Sequence, residues 1–129
     1  MERHVVTGPG LPRQIGPYSH AVRAGGLVHV AGQPGVDLET GEKVSDVFEE
    51  QARQAFVNLD AVLRAAGSRL DLVVSTTVLV TELANFPAMN ALFGEFFPVD
   101  PPTRMTMQVP LPLGLLFSIG VVAVQATAD

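Results

Sequence analysis

The stretch DVFEEQARQAFVNLDAVLRAAG, residues 46–67, carries the clearest helical periodicity of the chain and separates two β-rich parts. Its apolar residues recur at helical spacing, and its charged residues occupy the rest of the wheel. Asp46 is predicted to be the N-cap, with Glu49 placed as in a capping box. Gly67 lies just after the last apolar residue, where glycine commonly ends a helix. The stretch therefore predicts an amphipathic helix.

Strand patterns flank this helix on both sides. A hairpin is predicted to turn at Gly25-Gly26, before the helix. A second helix is predicted from its N-cap Asn85 to about Phe97, with Pro87 in its first turn. The order βββαβαββ predicts an α+β fold, a sheet with two helices on one face, in a single domain spanning residues 1–129. The predicted strands are His4–Thr7, Ala21–Arg23, Leu27–Ala31, Leu72–Thr81, Thr103–Val109 and Leu116–Gln125.

Composition excludes several classes of function. The net charge is −5 and the eight basic residues are scattered singly, which disfavours nucleic-acid binding. No cysteine is present, so neither a thiol nucleophile nor a cysteine metal site is expected. The uncharged stretch 105–128 is broken by prolines and glycines, so no membrane span is predicted, and the N-terminus lacks signal-peptide order. We expect a cytoplasmic protein, and the apolar last strands favour a homo-oligomer.

Arg104 is the only charged residue between Asp100 and Asp129. A guanidinium removed from water without a partner costs several kcal/mol. Arg104 therefore either pairs with a carboxylate of this protein or receives one from a ligand. A guanidinium fork can hold a carboxylate by two parallel hydrogen bonds, so the second alternative predicts a site for a small carboxylate.

Several other polar residues are candidates for this site, and each could instead have a structural or solvent-exposed role. Tyr18, the only tyrosine, follows Gly-Pro and suits the mouth of a pocket, or is a structural loop residue. Asn90 lies inside the second predicted helix and faces solvent, a ligand or a neighbouring subunit. His20 is interpreted as solvent-exposed or hydrogen-bonded, and a place in the pocket is the alternative. The three histidines lack metal-ligand spacing, so no metal site is predicted. Ser75 and Ser118 lie in strands without a nucleophile elbow.

The order of several short motifs resembles the Rid family of reactive intermediate deaminases (RidA/YjgF), also labelled L-PSP endoribonucleases. The resemblance runs from about Gly16 to Val124. Each motif is weak alone, and their order and spacing together are specific. The matching segments are residues 15–19 (IGPYS), 30–33 (VAGQ), 41–42 (GE), 51–55 (QARQA), 65–68 (AAGS), 96–98 (FFP) and 101–104 (PPTR), together with Leu59.

The resemblance implies a chorismate-mutase-like fold and a homotrimer with a barrel-like core and three clefts between subunits. It implies that Arg104 is the catalytic residue that grips the carboxylate of an enamine or imine, which water hydrolyses to a 2-oxo acid and ammonia. Residues lining that cleft are implied to be Tyr18, Gly32, Asn90 and the backbone of Thr106. No metal or organic cofactor is implied.

The chain departs from the family pattern on its last strand. Ser118 falls where the deaminases of 2-aminoacrylate carry a water-positioning glutamate, and Gly120 replaces a second acid. A hydroxyl can orient water but is a poor proton acceptor at neutral pH. His20 stands where the family often has glutamine. Ser118 is therefore included among the predicted substrate-binding residues, with an altered substrate preference.

These observations favour an enamine/imine deaminase of the 2-iminobutanoate/2-iminopropanoate type. A larger substrate, such as an aminomuconate-like diacid, is a related alternative. A non-catalytic trimer that binds small carboxylates or a protein is the alternative from another class. Ribonuclease activity follows from a family label, and the acidic composition makes it the least favoured.

Overall fold

The computed structural model describes residues 2–126, which form one six-stranded mixed sheet with two α-helices on one face. The predicted element order and the α+β class are confirmed. None of the helices in this range is long and apolar enough to cross a membrane. The strands are β1 Arg3–Val5, β2 Ala21–Ala24, β3 Leu27–Pro34, β4 Val73–Val80, β5 Thr103–Gln108 and β6 Phe117–Val124, and the helices are α1 Phe48–Ala65 and α2 Phe86–Phe96.

Helix α1 ends as predicted but begins one residue later than predicted. Gly67 has a φ of 78°, and the N–H of Ser68 donates to the Leu63 carbonyl at 2.8 Å, so the glycine terminates the helix as expected. The predicted N-cap Asp46 is wrong: the cap is Val47, without a side-chain cap bond. The Asp46 carboxylate is instead engaged by the ammonium of Lys43, away from the helix end.

The sheet has the strand order β1-β2-β3-β6-β4-β5. Only β4 and β5 pair in parallel, joined by a crossover that contains α2, and this leaves β5 as an edge strand. Strand β3 runs three residues past the predicted end at Ala31, because β6 continues to pair with Gln33 and Pro34 beyond a bulge. That bulge redirects the backbone at Gly32, a predicted cleft residue.

The hydrophobic core lies between the helices and one face of the sheet. Phe56 of α1 stacks on Phe96 with ring centres 4.6 Å apart, and both Phe56 and Phe117 of β6 are fully buried. The other face of the sheet has no covering layer within residues 2–126 and carries exposed apolar side chains. One face of the sheet is therefore uncovered in a single chain. The exposed residues of that face include Leu27, Val74, Met105, Met107 and Val124.

Candidate functional site

Arg104 lies on the edge strand β5, with its side chain on the helix-covered side of the sheet. Its guanidinium carbon is 4.9 Å from the ring centre of Phe93 and 5.5 Å from that of Phe86. One guanidinium nitrogen is 3.6 Å from the sulfur of Met89. No carboxylate in the described part of the chain forms an ion pair with Arg104. Aromatic faces thus support the cation, and its hydrogen-bonding edge stays available for a ligand.

The free edge of β5 adds backbone groups beside Arg104. The N–H of Val109 donates to Val80 at 3.0 Å, and the carbonyl of Thr103 accepts a bond from Thr76 at 2.8 Å. Because peptide groups alternate sides along a strand, those of Arg104 and Thr106 point outward. The buried Thr106 hydroxyl has no partner among the described residues. Arg104 and Thr106 thus present backbone groups along the free edge of β5.

Asn90 is exposed on α2, next to the aromatic support of Arg104. Its position is four residues after Phe86 and three before Phe93, so the three side chains share one stripe of the helix. We call Arg104, Thr106 and Asn90 the arginine half-site. The structure thus places these three residues on the same side of the sheet, and their role in binding a carboxylate stays a prediction.

A second group of predicted residues lines a separate cavity of about 410 Å³. Tyr18 reaches it from the loop before β2, Gly32 from the bulge of β3, and Ser118 from β6. The Ser118 hydroxyl lies directly over Gly32, because a Cβ built on that glycine would be 2.7 Å from the Ser118 oxygen. We call Tyr18, Gly32 and Ser118 the tyrosine half-site. The remaining lining residues are Ile15, Ala31, Pro34, Leu111, Pro112, Leu113 and Leu115.

The two half-sites lie on opposite faces of the sheet in one chain. Arg104 pairs with Thr76, which is buried against the helices, whereas Ser118 pairs with Leu79 on the uncovered face. Side chains of paired residues share a face. One chain therefore brings the predicted site residues together as two separate groups and does not unite them.

His20 lies beneath Tyr18 and is 5% exposed. The two rings meet edge to face with centres 5.7 Å apart. The Gln33 side-chain nitrogen is 3.2 Å from His20 Nδ1 and donates to the Ala31 carbonyl at 3.1 Å. This network assigns Nδ1 as the acceptor of a neutral ring. The pair anchors the Tyr18 loop to the bulge that presents Gly32.

Burial lowers the pKa of His20 from its ordinary value of 6.5, and the carbonyl of Pro12 opposes this only in part. The unfolded chain therefore takes up the proton first as the pH falls. We expect the stabilisation from neutral His20 to be complete above pH 6.5 and to be lost as the pH falls through the lowered pKa of the folded state. Urea unfolding from pH 8 to pH 5 should show this loss, at roughly the pH range of histidine titration.

A matched pair of variants isolates this effect. His20→Gln keeps an acceptor that cannot titrate, so its stability should vary less with pH than that of the wild type. His4→Gln removes an exposed histidine of the edge strand β1 and controls for the loss of a histidine side chain. An identical pH dependence in the wild type and His20→Gln would show that His20 is not the titrating group.

One part of the tyrosine half-site was missed from the sequence, namely the turn between β5 and β6. The prolines and the glycine of residues 110–114 indicate a turn and nothing more. In the structure Gln51, fully buried on α1, donates to the Gly114 carbonyl at 3.2 Å and accepts from the Leu116 N–H at 2.9 Å. A polar side chain on the apolar face of α1 was the available signal, since a buried amide needs such partners.

Within residues 2–126 there is no group of three His, Cys, Asp or Glu side chains that could hold a metal ion. The neutral His20 makes its bond to an amide instead. The chemistry available here is that of a guanidinium, a hydroxyl, a phenol and backbone amides.

Comparison with known proteins gives consistent similarities over almost the whole chain. The family model described as endoribonuclease L-PSP matches residues 10–125. The 2-iminobutanoate/2-iminopropanoate deaminase of Homo sapiens is 37% identical over 124 residues, which cover 95% of this chain and 90% of the human protein. Reactive Intermediate Deaminase A, chloroplastic, of Arabidopsis thaliana is 36% identical over 124 residues, 95% of this chain and 66% of that longer protein.

Solved structures extend the similarity to the fold. The crystal structure of E. coli TdcF with bound serine superposes with a TM-score of 0.87 at 31% sequence identity. The superposition covers 95% of this chain and 99% of TdcF. The arrangement of strands and helices described above is therefore shared with a protein that holds a small amino acid.

Proposed function

This chain belongs to the Rid family, and from that membership we propose that it is an enamine/imine deaminase acting on small carboxylate-bearing intermediates. The observation that carries the proposal is Arg104, a guanidinium supported by two aromatic rings and without a carboxylate partner in the described chain. Relatives named as deaminases of 2-imino acids and a relative holding serine support the same ligand chemistry.

The proposed active site is a cleft between subunits of a homotrimer. Three copies would cover the exposed apolar sheet faces in a barrel-like core, and cyclic symmetry would place the β5 edge of each copy beside the next copy. This assembly joins the arginine half-site of one subunit to the tyrosine half-site of its neighbour. It accounts both for the uncovered sheet face and for the separation of the half-sites in one chain.

The oligomer can be tested on the uncovered face. Met105 is 60% exposed there, and we expect Met105→Asp to convert a trimer of 13.7 kDa chains into monomers, since a charge would be buried in the core between subunits. The control Val57→Asp changes an exposed valine on α1 and should leave the trimer intact. A monomeric mass for the wild type by light scattering would contradict the shared cleft.

The proposed reaction begins with the carboxylate on the Arg104 fork. The substrate is the 2-imino acid, formed from the enamine by tautomerisation. Water adds to the imine carbon, a proton passes to the nitrogen, and the C–N bond of the resulting carbinolamine breaks. The products are a 2-oxo acid and ammonia. The Ser118 hydroxyl would orient the water, and because Ser118 is not a base, protons would move through solvent.

Two other functions can be ranked against the deaminase. None of the described residues lining the tyrosine half-site carries a carboxylate, which favours a non-catalytic carboxylate-binding trimer as the second candidate. Ribonuclease activity has less support, because the net charge is −5 and several arginines are paired on the surface. Those pairs are Arg53–Glu95, Arg64–Asp60 and Arg69–Asp71.

An amino-acid oxidase assay separates the enzyme from the binder. The oxidase generates 2-imino acids continuously, and the release of ammonia is followed with and without this protein. We expect an acceleration over spontaneous hydrolysis that increases with protein concentration. Saturable binding of 2-oxo acids without acceleration for any imine would instead support the non-catalytic trimer.

A further inference from the structure

Leu113 occupies an unfavourable position by two independent measures. Its φ is 61°, in the left-handed region that glycine and asparagine adopt far more readily than leucine. Its side chain is also 71% exposed. Glycine or asparagine would remove both the backbone strain and the exposed apolar surface. Strained residues of this kind occur preferentially where a ligand is bound.

The turn around Leu113 is held rigidly by its neighbours. The N–H of Leu115 donates to the Pro112 carbonyl at 3.1 Å. The buried amide of Gln51 holds the carbonyl of Gly114 and the N–H of Leu116, as described above. These hydrogen bonds fix the backbone on both sides of Leu113 and keep its side chain at the rim of the cavity.

The cavity beside Leu113 has an apolar wall. Leu113 lines it together with Tyr18 and Ser118, and Leu111 and Leu115 continue the wall. No charged side chain is among the described lining residues. Lys43 lines a neighbouring cavity shared with Leu113 and Leu115, and its ammonium is paired with Asp46. A second carboxylate on a ligand would therefore find no cation among the residues that line this cavity, and the neighbouring ammonium already has a partner.

We propose that Leu113 determines substrate specificity and that the site prefers carboxylates with an uncharged apolar side chain of about four carbons over dicarboxylates. This inference rests on the proposed carboxylate site and adds the chemical class of the ligand's side chain. With the carboxylate on Arg104, the rest of the ligand would point toward the apolar wall. Each methylene buried there should tighten binding about fourfold, and a charged end would lose its hydration without compensation.

Binding can be measured through Tyr18, because the chain has one tyrosine and no tryptophan. The ligands are stable 2-oxo acids, namely 2-oxopropanoate, 4-methyl-2-oxopentanoate and 2-oxopentanedioate. We expect 4-methyl-2-oxopentanoate, with three more side-chain carbons, to bind about 60-fold more tightly than 2-oxopropanoate, and the dicarboxylate to bind more weakly than both.

Two variants of Leu113 test the residue itself. Leu113→Asn suits the left-handed backbone and removes the apolar contact, so it should fold and should lose about tenfold in affinity for 4-methyl-2-oxopentanoate alone. Leu113→Met retains an apolar side chain and should keep the preference.

Equal affinities of the wild type for the three ligands, or binding by none of them, would overturn the proposal. So would dissociation of the trimer by Leu113→Asn, since Leu113 would then serve as a subunit contact. Hydrolysis is not needed for these measurements. A protein that binds with the expected preference but does not accelerate imine hydrolysis would remove the deaminase function and keep the specificity assigned to Leu113.

Discussion

Arg104→Ala is expected to weaken the binding of 2-oxo acids about 100-fold and to abolish the acceleration of imine hydrolysis. The guanidinium lies on Phe93 and Phe86 and forms no ion pair with a carboxylate in residues 2–126. Removing it leaves the incoming carboxylate without a charged partner, whereas the core of the chain is unaffected because Arg104 is exposed. Tyr18 fluorescence measures the binding and ammonia release measures the hydrolysis.

Two control variants distinguish the effect of the two parallel hydrogen bonds of the guanidinium from the effect of its charge. Arg104→Lys keeps the cation and loses the two parallel hydrogen bonds, so an intermediate loss is expected. Arg53→Ala removes the same charge from an exposed ion pair with Glu95 and should have no effect on binding. If Arg104→Ala bound 2-oxo acids as tightly as the wild type, the arginine half-site would not be the carboxylate receptor.

Ser118→Glu is expected to raise the rate of imine hydrolysis about 100-fold, within the usual contribution of one general base. The cavity beside Ser118 has about 410 Å³, and Gly32 presents no side chain against it, so a longer side chain has room. A carboxylate there could take a proton from the attacking water, which the serine hydroxyl cannot do at neutral pH. The rate should then fall at acidic pH as this carboxylate is protonated.

Ser118→Gln is the control for the expected gain in the rate of hydrolysis by Ser118→Glu. It has nearly the shape of glutamate but cannot accept the proton, so its rate should stay close to that of the wild type. Equal rates for Ser118→Glu and Ser118→Gln at every pH would mean that a base at this position does not limit the reaction. The carboxylate-binding step would be unaffected by that result.

Features that depend on local chemistry were predictable from the sequence. The helical spacing of the apolar residues located α1, and Gly67 located its end. The patterns typical of strands and helices, taken along the chain, gave the order of the elements. Arg104 was recognisable as a lone cation in an apolar segment. The exception at the start of α1 arose because Lys43 binds Asp46, a contact that helix-capping patterns do not reveal.

Features that depend on long-range pairing were not predictable. Whether Arg104 and Ser118 share a face depends on the register of β5 and β6 against β4, which no local pattern specifies. The burial of His20 depends on its partner Gln33 across the bulge of β3. The left-handed backbone of Leu113 depends on the clamp from Gln51, which lies 62 residues earlier in the chain.

The shared cleft is tested most directly by mixing two inactive variants. Arg104→Ala disables the arginine half-site, and Gly32→Val fills the tyrosine half-site against Ser118. In a cyclic trimer, every mixed assembly contains one cleft with both half-sites intact. Equal amounts unfolded and refolded together should therefore recover about a quarter of the wild-type activity. No recovery from trimers shown to be mixed would contradict a site built from two subunits.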